Sequence, residues 1–411
     1  MQTSLAEFIK DTPQGQEADS ILRACVHCGF CNATCPTYQL LGDELDGPRG
    51  RIYLIKQMLE GAQPTEKTRL HLDRCLTCRA CETTCPSGVR YGRLADIGRD
   101  MVEKRVKRNF TESVKRATLR TVLTHPALFN PLLGLGRLVR PLLPEKTRRK
   151  IPLAARPAAR PSTRHARKML LLEGCVQPAL APGINAATAR VLDKLGISLL
   201  PAHGCCGAIP YHMNAQEEGL NYMRRNIDHW WPSIEQGAEA LVITASGCGA
   251  MVKEYGHLLK HDSVYAEKAQ RVSAIARDIV EIVTAEKDKI GMLVSGSKKR
   301  RTKTAVHSPC TLQHALKLGG TVEKLLADCG FEMTHVPDAH LCCGSAGTYS
   351  ILQPELSQKL LANKITALES GSPTQILTAN IGCLAHLQSA SELPVKHWIE
   401  ALEELLAVHS P

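Results

Sequence analysis

Cys25-Val-His-Cys28-Gly-Phe-Cys31-Asn-Ala-Thr-Cys35-Pro36 decides the reading of this chain, because it occurs twice: Cys75-Leu-Thr-Cys78-Arg-Ala-Cys81-Glu-Thr-Thr-Cys85-Pro86 repeats the spacing as far as the proline. Four thiolates around an iron–sulfur cubane must converge on a small volume. A Cys-x2-Cys-x2-Cys loop wraps three of them, and the fourth comes from elsewhere. In the bacterial two-cluster arrangement the last Cys of each run, the one before Pro, ligates the other cluster. Transferred to this spacing, one [4Fe-4S] cluster takes Cys25, Cys28, Cys31 and Cys85, and the other takes Cys75, Cys78, Cys81 and Cys35. Zinc also accepts four thiolates, but the doubled runs with their prolines exceed what a zinc knuckle needs. Pro36 and Pro86 fix the local backbone and omit an amide hydrogen. Arg23, Arg74 and Arg79 are candidates to stabilise the reduced clusters, and His27 is a neighbour rather than a ligand.

Working outward, 411 residues exceed a single core. Of the 17 cysteines, eight lie between residues 25 and 85 and nine between 175 and 383; in a reducing compartment such density reads as metal ligation before disulfides. No run approaches a spanning helix, and MQTSLAEFIK lacks a secretory pattern, so a cytoplasmic location is expected. The formal charge is +11, and from Arg137 to Lys168 eleven Lys or Arg face one acid, Glu145. Without interleaved aromatics or a binding motif this is no nucleic-acid site. It is either a solvated connector or a surface that docks on an acidic partner or anionic headgroups.

The expected fold is α+β overall: a polar N-terminal segment (1–20), a helical two-[4Fe-4S] ferredoxin-like module (21–110), a basic Pro-containing linker (111–168), and two repeated α/β cysteine-rich half-domains (169–290 and 291–411). Ile52, Ile55 and Leu59 give a helix over 49–59 that stops at Gly61. A second, from about Leu94 to Val106, turns Leu94, Ile97, Met101 and Val102 toward the clusters and Arg99, Lys104 and Arg105 toward water. Pro152 to Pro161 suits neither helix nor strand. Beyond residue 169, strands are expected at Met169–Leu172, Ile197–Leu200, Leu241–Thr244, Met292–Val294, Ala305–His307 and Ile376–Thr378. Helices are expected at Ala186–Leu195, Ala215–Ile234, Val272–Val283 and Leu356–Leu368.

This region repeats itself: Cys175, Cys205-Cys206-Gly207 and Cys248 are echoed by Cys310, Cys342-Cys343-Gly344 and Cys383. Adjacent cysteines reach one site only through a bend, which Gly207 and Gly344 permit. Each half therefore offers four candidate ligands for a further iron–sulfur centre, with zinc or a metal-free thiol site as alternatives. Cys329 reads as a buried inert thiol, and His386 as a neighbour of Cys383. No GxGxxG, P-loop, zinc-protease helix or nucleophile elbow appears, so no catalytic residue is assigned.

These residues carry a resemblance to the iron–sulfur subunits of bacterial glycolate oxidases. It rests on Arg23-Ala-Cys-Val-His-Cys-Gly-Phe-Cys31 through Cys35-Pro-Thr-Tyr38, Gly42-Asp-Glu-Leu-Asp-Gly-Pro-Arg-Gly-Arg-Ile-Tyr-Leu-Ile-Lys56, Gly204-Cys-Cys-Gly207 and Leu341-Cys-Cys-Gly-Ser-Ala-Gly-Thr-Tyr349. The resemblance implies an electron-transfer subunit at the cytoplasmic face of the inner membrane. FAD, held only by partner subunits, would take two electrons from glycolate to give glyoxylate, and this chain would relay them toward a quinone. Related cysteine-rich domains occur in heterodisulfide reductase, anaerobic glycerol-3-phosphate dehydrogenase and lactate-utilisation proteins. The alternatives are thus a heterodisulfide-reductase-like enzyme acting at the Cys-Cys-Gly repeats, or the same relay in a lactate or glycerol-3-phosphate dehydrogenase complex. Several relatives end the motif in Cys-x2-Cys; here the places read Cys248-Gly-Ala-Met251 and Cys383-Leu-Ala-His386.

Overall fold

The computed structural model describes residues 1–155, 159–295 and 302–407. Around the two cysteine loops gather the helices Pro13–Ala24, Pro48–Leu59, Glu66–Asp73 and Tyr91–Arg105. Proline at the first turn starts Pro48–Leu59 without losing a helical bond, and Ile52, Ile55, Met58 and Leu59 form its buried face. It crosses Tyr91–Arg105 closely, since a Cβ on Gly98 would lie 2.6 Å from Ile55 Cγ1. That second helix buries Leu94, Ile97, Met101 and Val102 as its periodicity requires. Arg99, expected in water, is buried instead: it donates to the carbonyls of Leu72 and Cys75 and to Thr77 Oγ1. The carbonyls at the end of Glu66–Asp73 lack helical partners, and Arg99 supplies donors for them.

The expected linker is largely helical. Phe110–Thr124 and Pro126–Val139 are α-helices, followed by a turn of helix at Glu145–Arg148. Two ion pairs fasten this segment to the module, Arg116 to Asp73 at 3.3 Å and Glu112 to Arg108 at 2.5 Å. Its basic residues draw acids from elsewhere in the fold. Arg149 pairs with Glu392, Arg160 with Glu173, and Arg167 with Glu239 and Glu286. Arg137 and Arg140 donate to backbone carbonyls. Arg156 and the Lys146 side chain lie outside the described residues.

Two four-stranded parallel sheets follow. The first joins β1 (Arg167–Leu172), β2 (Ile197–Ala202), β3 (Leu241–Ile243) and β4 (Ala276–Asp278) in the order β2-β1-β3-β4. The second joins β5 (Lys303–His307), β6 (Glu332–Met333), β7 (Gln375–Thr378) and β8 (Val395–His397) in the order β6-β5-β7-β8, the same topology. The expected strand at Met292–Val294 is helix, the end of Lys287–Val294. The helix expected over Val272–Val283 is broken by β4, because Asp278 accepts the Val280 N–H and Glu281 accepts the Asp278 N–H, a capping box that starts a new helix.

The halves share one core. Met169, Leu171, Val191, Val306, Leu377, Trp398 and Leu402 belong to a single buried cluster, and the Ser246 N–H donates to Ala379 O at 3.2 Å between them. In each sheet the chain leaves the first strand on one side and returns on the other, so a switch point lies at the carboxyl ends of the first and third strands, where open parallel sheets bind ligands. Cys175 and Cys248, and likewise Cys310 and Cys383, lie just beyond those ends.

Candidate metal centres

Each cysteine loop makes two left-handed steps: His27 (φ 57°) and Gly29 (φ 85°) in the first, Thr77 (φ 53°) and Arg79 (φ 61°) in the second. Three of these residues carry a Cβ, and each such conformation costs on the order of 1 kcal/mol or more. The turns aim amides at sulfur: the Thr77 N–H lies 3.4 Å from Cys75 Sγ, and the His27 and Ala80 amides donate to Cys25 and Cys78.

Two cavities result, of about 430 Å³ and 360 Å³. The first is lined by Cys25, Cys28, Cys31 and Cys85, the second by Cys35, Cys75, Cys78 and Cys81. Both have Pro48, Cys81 and Tyr91 in their walls. The fold thus brings each terminal cysteine to the opposite loop. The donor sets fit [4Fe-4S] clusters, and orphaned polar atoms mark the same places. His27 Nε2 is buried at the first cavity and the Tyr91 hydroxyl in the shared wall, and neither pairs with a nitrogen or oxygen of the described residues.

Of the arginines singled out in the sequence, one borders the second cavity. Arg23 pairs on the surface with Asp19. Arg74 reaches Asp46 at 2.8 Å, and only Arg79 lines a cavity, where it also pairs with Glu254. The arginines that act on a thiol are Arg51 and Arg99: burial raises the Cys75 thiol, but these two cations outweigh it and bring it below the ordinary cysteine range. Burial, followed by its thiol neighbours, pushes Cys31 up to about 11. Arg51 is 1% exposed and faces a fully buried Asp46 at 3.4 Å. Its signal in the sequence was its place on the Ile55 and Met58 face of a helix, where an apolar residue belongs.

In the cysteine-rich halves the thiols form chains: Cys175, Cys205, Cys206 and Cys248 in the first, and Cys310, Cys342, Cys343 and Cys383 in the second. In the second half the adjacent pair divides. Cys342 lies 3.8 Å from Cys310 and packs beside Cys78 with Leu76, Tyr349, Leu356 and Leu360. Cys343 packs inward with Cys383. The second half therefore abuts the second cavity through thiols and apolar groups, with the Tyr349 hydroxyl donating to Arg74 O at 3.0 Å. The first half meets the N-terminal module through charge and polar bonds: Arg79–Glu254, His257–Glu17 and Arg93 to the Tyr211 hydroxyl. Cys329 is buried away from all of these, its thiol pushed up to about 11 by burial and then Asp328. His386 pairs with Ser357 Oγ at 3.2 Å.

Comparison with known proteins adds the context. Residues 21–89 match the 4Fe-4S dicluster domain, and residues 169–253 and 304–388 each match the cysteine-rich domain. The chain is 60% identical to the glycolate oxidase iron-sulfur subunit of Escherichia coli (strain K12) over 99% of both chains. It belongs to the glycolate oxidase iron-sulfur subunit family. A probable glycolate oxidase iron-sulfur subunit of Bacillus subtilis (strain 168) is 30% identical over 90% of this chain and 88% of its own. Lactate utilization protein A of Bacillus licheniformis is 26% identical over 54% of this chain and 90% of its own. This chain thus carries an N-terminal iron–sulfur module followed by two cysteine-rich α/β repeats.

Proposed function

We propose that this chain is the electron-transfer iron–sulfur subunit of a complex that oxidises glycolate to glyoxylate, taking electrons from FAD-binding subunits and delivering them toward a quinone. The observation that carries the reading is the contiguity of the thiol sets: two cavities with a common wall, the second abutting Cys310 and Cys342. Cys25, Cys28, Cys31 and Cys85 would hold one [4Fe-4S] cluster, and Cys75, Cys78, Cys81 and Cys35 the other. Bound there, such clusters supply reversible one-electron chemistry, the complement of a flavin that takes electrons in pairs. The chain itself contributes inward amides, the Arg51 and Arg99 cations beside Cys75, and a cover of helices. Glycolate is favoured over lactate because the 60% match spans the whole chain and the 26% match about half of it.

The test is reduction of the anaerobic chain by glycolate, followed by its visible absorption. Bleaching is expected only when an FAD-binding glycolate-oxidising partner is added. Reduction by glycolate without the partner, or turnover of a disulfide by the isolated chain, would favour an enzyme acting at the Cys-Cys-Gly repeats.

No helix among the described residues is long and apolar enough to cross a membrane. The surface we assign to the membrane is Pro126–Val139 and its extension. Leu128, Leu132, Leu135, Leu138, Val139 and Leu142 are all exposed, at i, i+3, i+4 and i+7 spacings, beside the charged Arg137 and Arg140. An apolar stripe edged by arginine suits the interface of an anionic bilayer. Leu135→Asp with Leu138→Asp should abolish sedimentation with vesicles containing anionic lipid while leaving iron content unchanged; undiminished sedimentation would remove this assignment.

A further inference from the structure

His307 ends β5, fully buried, with Nδ1 3.0 Å from Thr378 Oγ1 and Nε2 without a partner among the described residues. An imidazole nitrogen left unpaired in a core costs free energy unless something occupies it. Its surroundings are two thiols: the Nε2/Nδ1 donors of His307 and the sulfurs of Cys343 and Cys383 include three ligand atoms all within 4.8 Å of one another. We propose that His307, Cys343 and Cys383 form a binding site for a single divalent metal ion of the zinc class. The site goes beyond the function above, which stands on the N-terminal cavities without it.

Three features argue for one ion rather than a second use of the cubane chemistry. With metal–sulfur bonds of about 2.3 Å, thiolates on a tetrahedral ion stand roughly 3.8 Å apart, so donors as close as these need only a small inward shift. The set is mixed: two thiolates and a neutral imidazole suit zinc, whereas each N-terminal cavity gathers at least four cysteines. The supports of a ligand set are also present. With the proton on Nδ1, facing Thr378 Oγ1, the Nε2 lone pair is free for a ligand bond, and Asn380 Nδ2 lies 3.5 Å from Cys383 Sγ. Lys364, 3% exposed, donates to the Asp338 and Ala339 carbonyls; burial lowers its ammonium, and the neighbouring Cys343 and Cys342 act against that. A buried cation of that kind offsets thiolate charge.

Among the described residues the first half has no such set. Counting back from the first cysteine of each half, Leu172 stands where His307 does. The glycines of the Cys-Cys-Gly turns approach matching carbonyls, Gly207 that of Gly219 and Gly344 that of Ser357. Carried along the two helices, that match puts Asn226 opposite Lys364. The site thus belongs to the second half alone.

The experiment uses the full chain purified anaerobically, assayed for zinc and iron, then dialysed against a chelator and titrated with cobalt(II) while its ligand-field absorption is followed. Wild type should take about one zinc or one cobalt per chain, with the intense bands of a tetrahedral thiolate site. His307→Asn keeps a group at the Nδ1 position for Thr378 but removes the Nε2 donor, and should weaken cobalt binding tenfold or more with iron unchanged. Iron content and far-UV circular dichroism report folding of each variant, and Cys343→Ser gives a second route should His307→Asn misfold. Wild-type-like cobalt binding in both His307→Asn and Cys343→Ser would overturn the proposal. So would extra iron in wild type, well above about eight per chain, that is lost in Cys343→Ser, since the second half would then hold an iron–sulfur cluster. Neither result would touch the N-terminal relay.

Discussion

In the first cysteine-rich half Leu172 ends the strand before Cys175, Asn226 stands under the Cys205-Cys206 turn and Met251 follows Cys248; the matching places of the second half hold His307, Lys364 and His386. The sheets have one topology and the thiols one order, yet among the described residues only the second half sets a histidine within ligand distance of its thiols and a buried lysine beside them. Their contacts with the N-terminal module differ in the same sense. The first half is tied by Arg79–Glu254, His257–Glu17 and Arg93–Tyr211, and the second by Cys78, Cys310, Cys342 and Leu76 in one packed cluster. A duplicated scaffold has been divided: one copy positions the module and the other meets its second cavity.

The largest test of this division is Arg51→Met. Asp46 is fully buried, and Arg51, Arg74 and His71 converge on it beside the second cavity. Removing one partner of a buried ion pair costs about 3–5 kcal/mol, and the loss should appear in denaturant unfolding together with damage to the cluster held by Cys75. The glycines of the two turns come next. Gly207 (φ 82°) and Gly344 (φ 86°) are left-handed, and a Cβ at either would lie 2.8 Å or 2.7 Å from a carbonyl oxygen. Gly207→Ala and Gly344→Ala should each destabilise by about 1–3 kcal/mol. Equal losses support one duplicated scaffold; a large loss in one and none in the other breaks the comparison.

Glu17→Gln probes the first half's ties at about 2 kcal/mol. Burial raises the Glu17 carboxyl, but hydrogen bonds from His257 and Arg93 outweigh it and bring it down to about 2. A carboxylate with a depressed folded-state pKa stabilises above the ordinary glutamate range and loses that contribution as pH falls toward the folded value. Wild-type stability should therefore drop between about pH 4.5 and pH 2 by more than that of Glu17→Gln; parallel profiles would show that Glu17 does not hold this interface. The smallest effects are a contrasting pair. Tyr349→Phe removes one hydrogen bond, about 1 kcal/mol, indifferent to salt. Arg79→Ala removes a partly exposed ion pair worth up to about 1 kcal/mol, less at high salt.

The cysteine spacing made the donor sets of the two cavities legible in advance, because ligand convergence is a local property of loop length plus one long-range crossing. Periodicity likewise found the helices at Pro48–Leu59 and Tyr91–Arg105 and the central strands β1, β3, β5 and β7. It failed where tertiary partners overrule pattern. Arg99 reads as a solvent residue until the helix end that needs its donors is in place. Residues 111–168 read as a basic connector because the charge from Arg137 to Lys168 was weighed only against Glu145, whereas acids outside it, Glu173, Glu239, Glu286 and Glu392, pair with Arg160, Arg167 and Arg149. β4, β6 and β8 are two or three residues long, too short for an alternation to show. His307 was passed over as the end of an apolar strand; its one signal was an ionisable residue in a run otherwise fit for the core.

The central claim is that two [4Fe-4S] clusters sit in the N-terminal cavities with crossed fourth ligands. Its most direct test is iron and sulfide analysis with EPR of the reduced full chain, wild type against Cys85→Ser, prepared anaerobically. The account expects about eight iron and about eight sulfide in wild type, and in Cys85→Ser a change confined to the cluster held by Cys25, Cys28 and Cys31. Fewer than about four iron with zinc making up the remainder, or a Cys85→Ser signal that assigns Cys85 to the cluster of Cys75, Cys78 and Cys81, would contradict it.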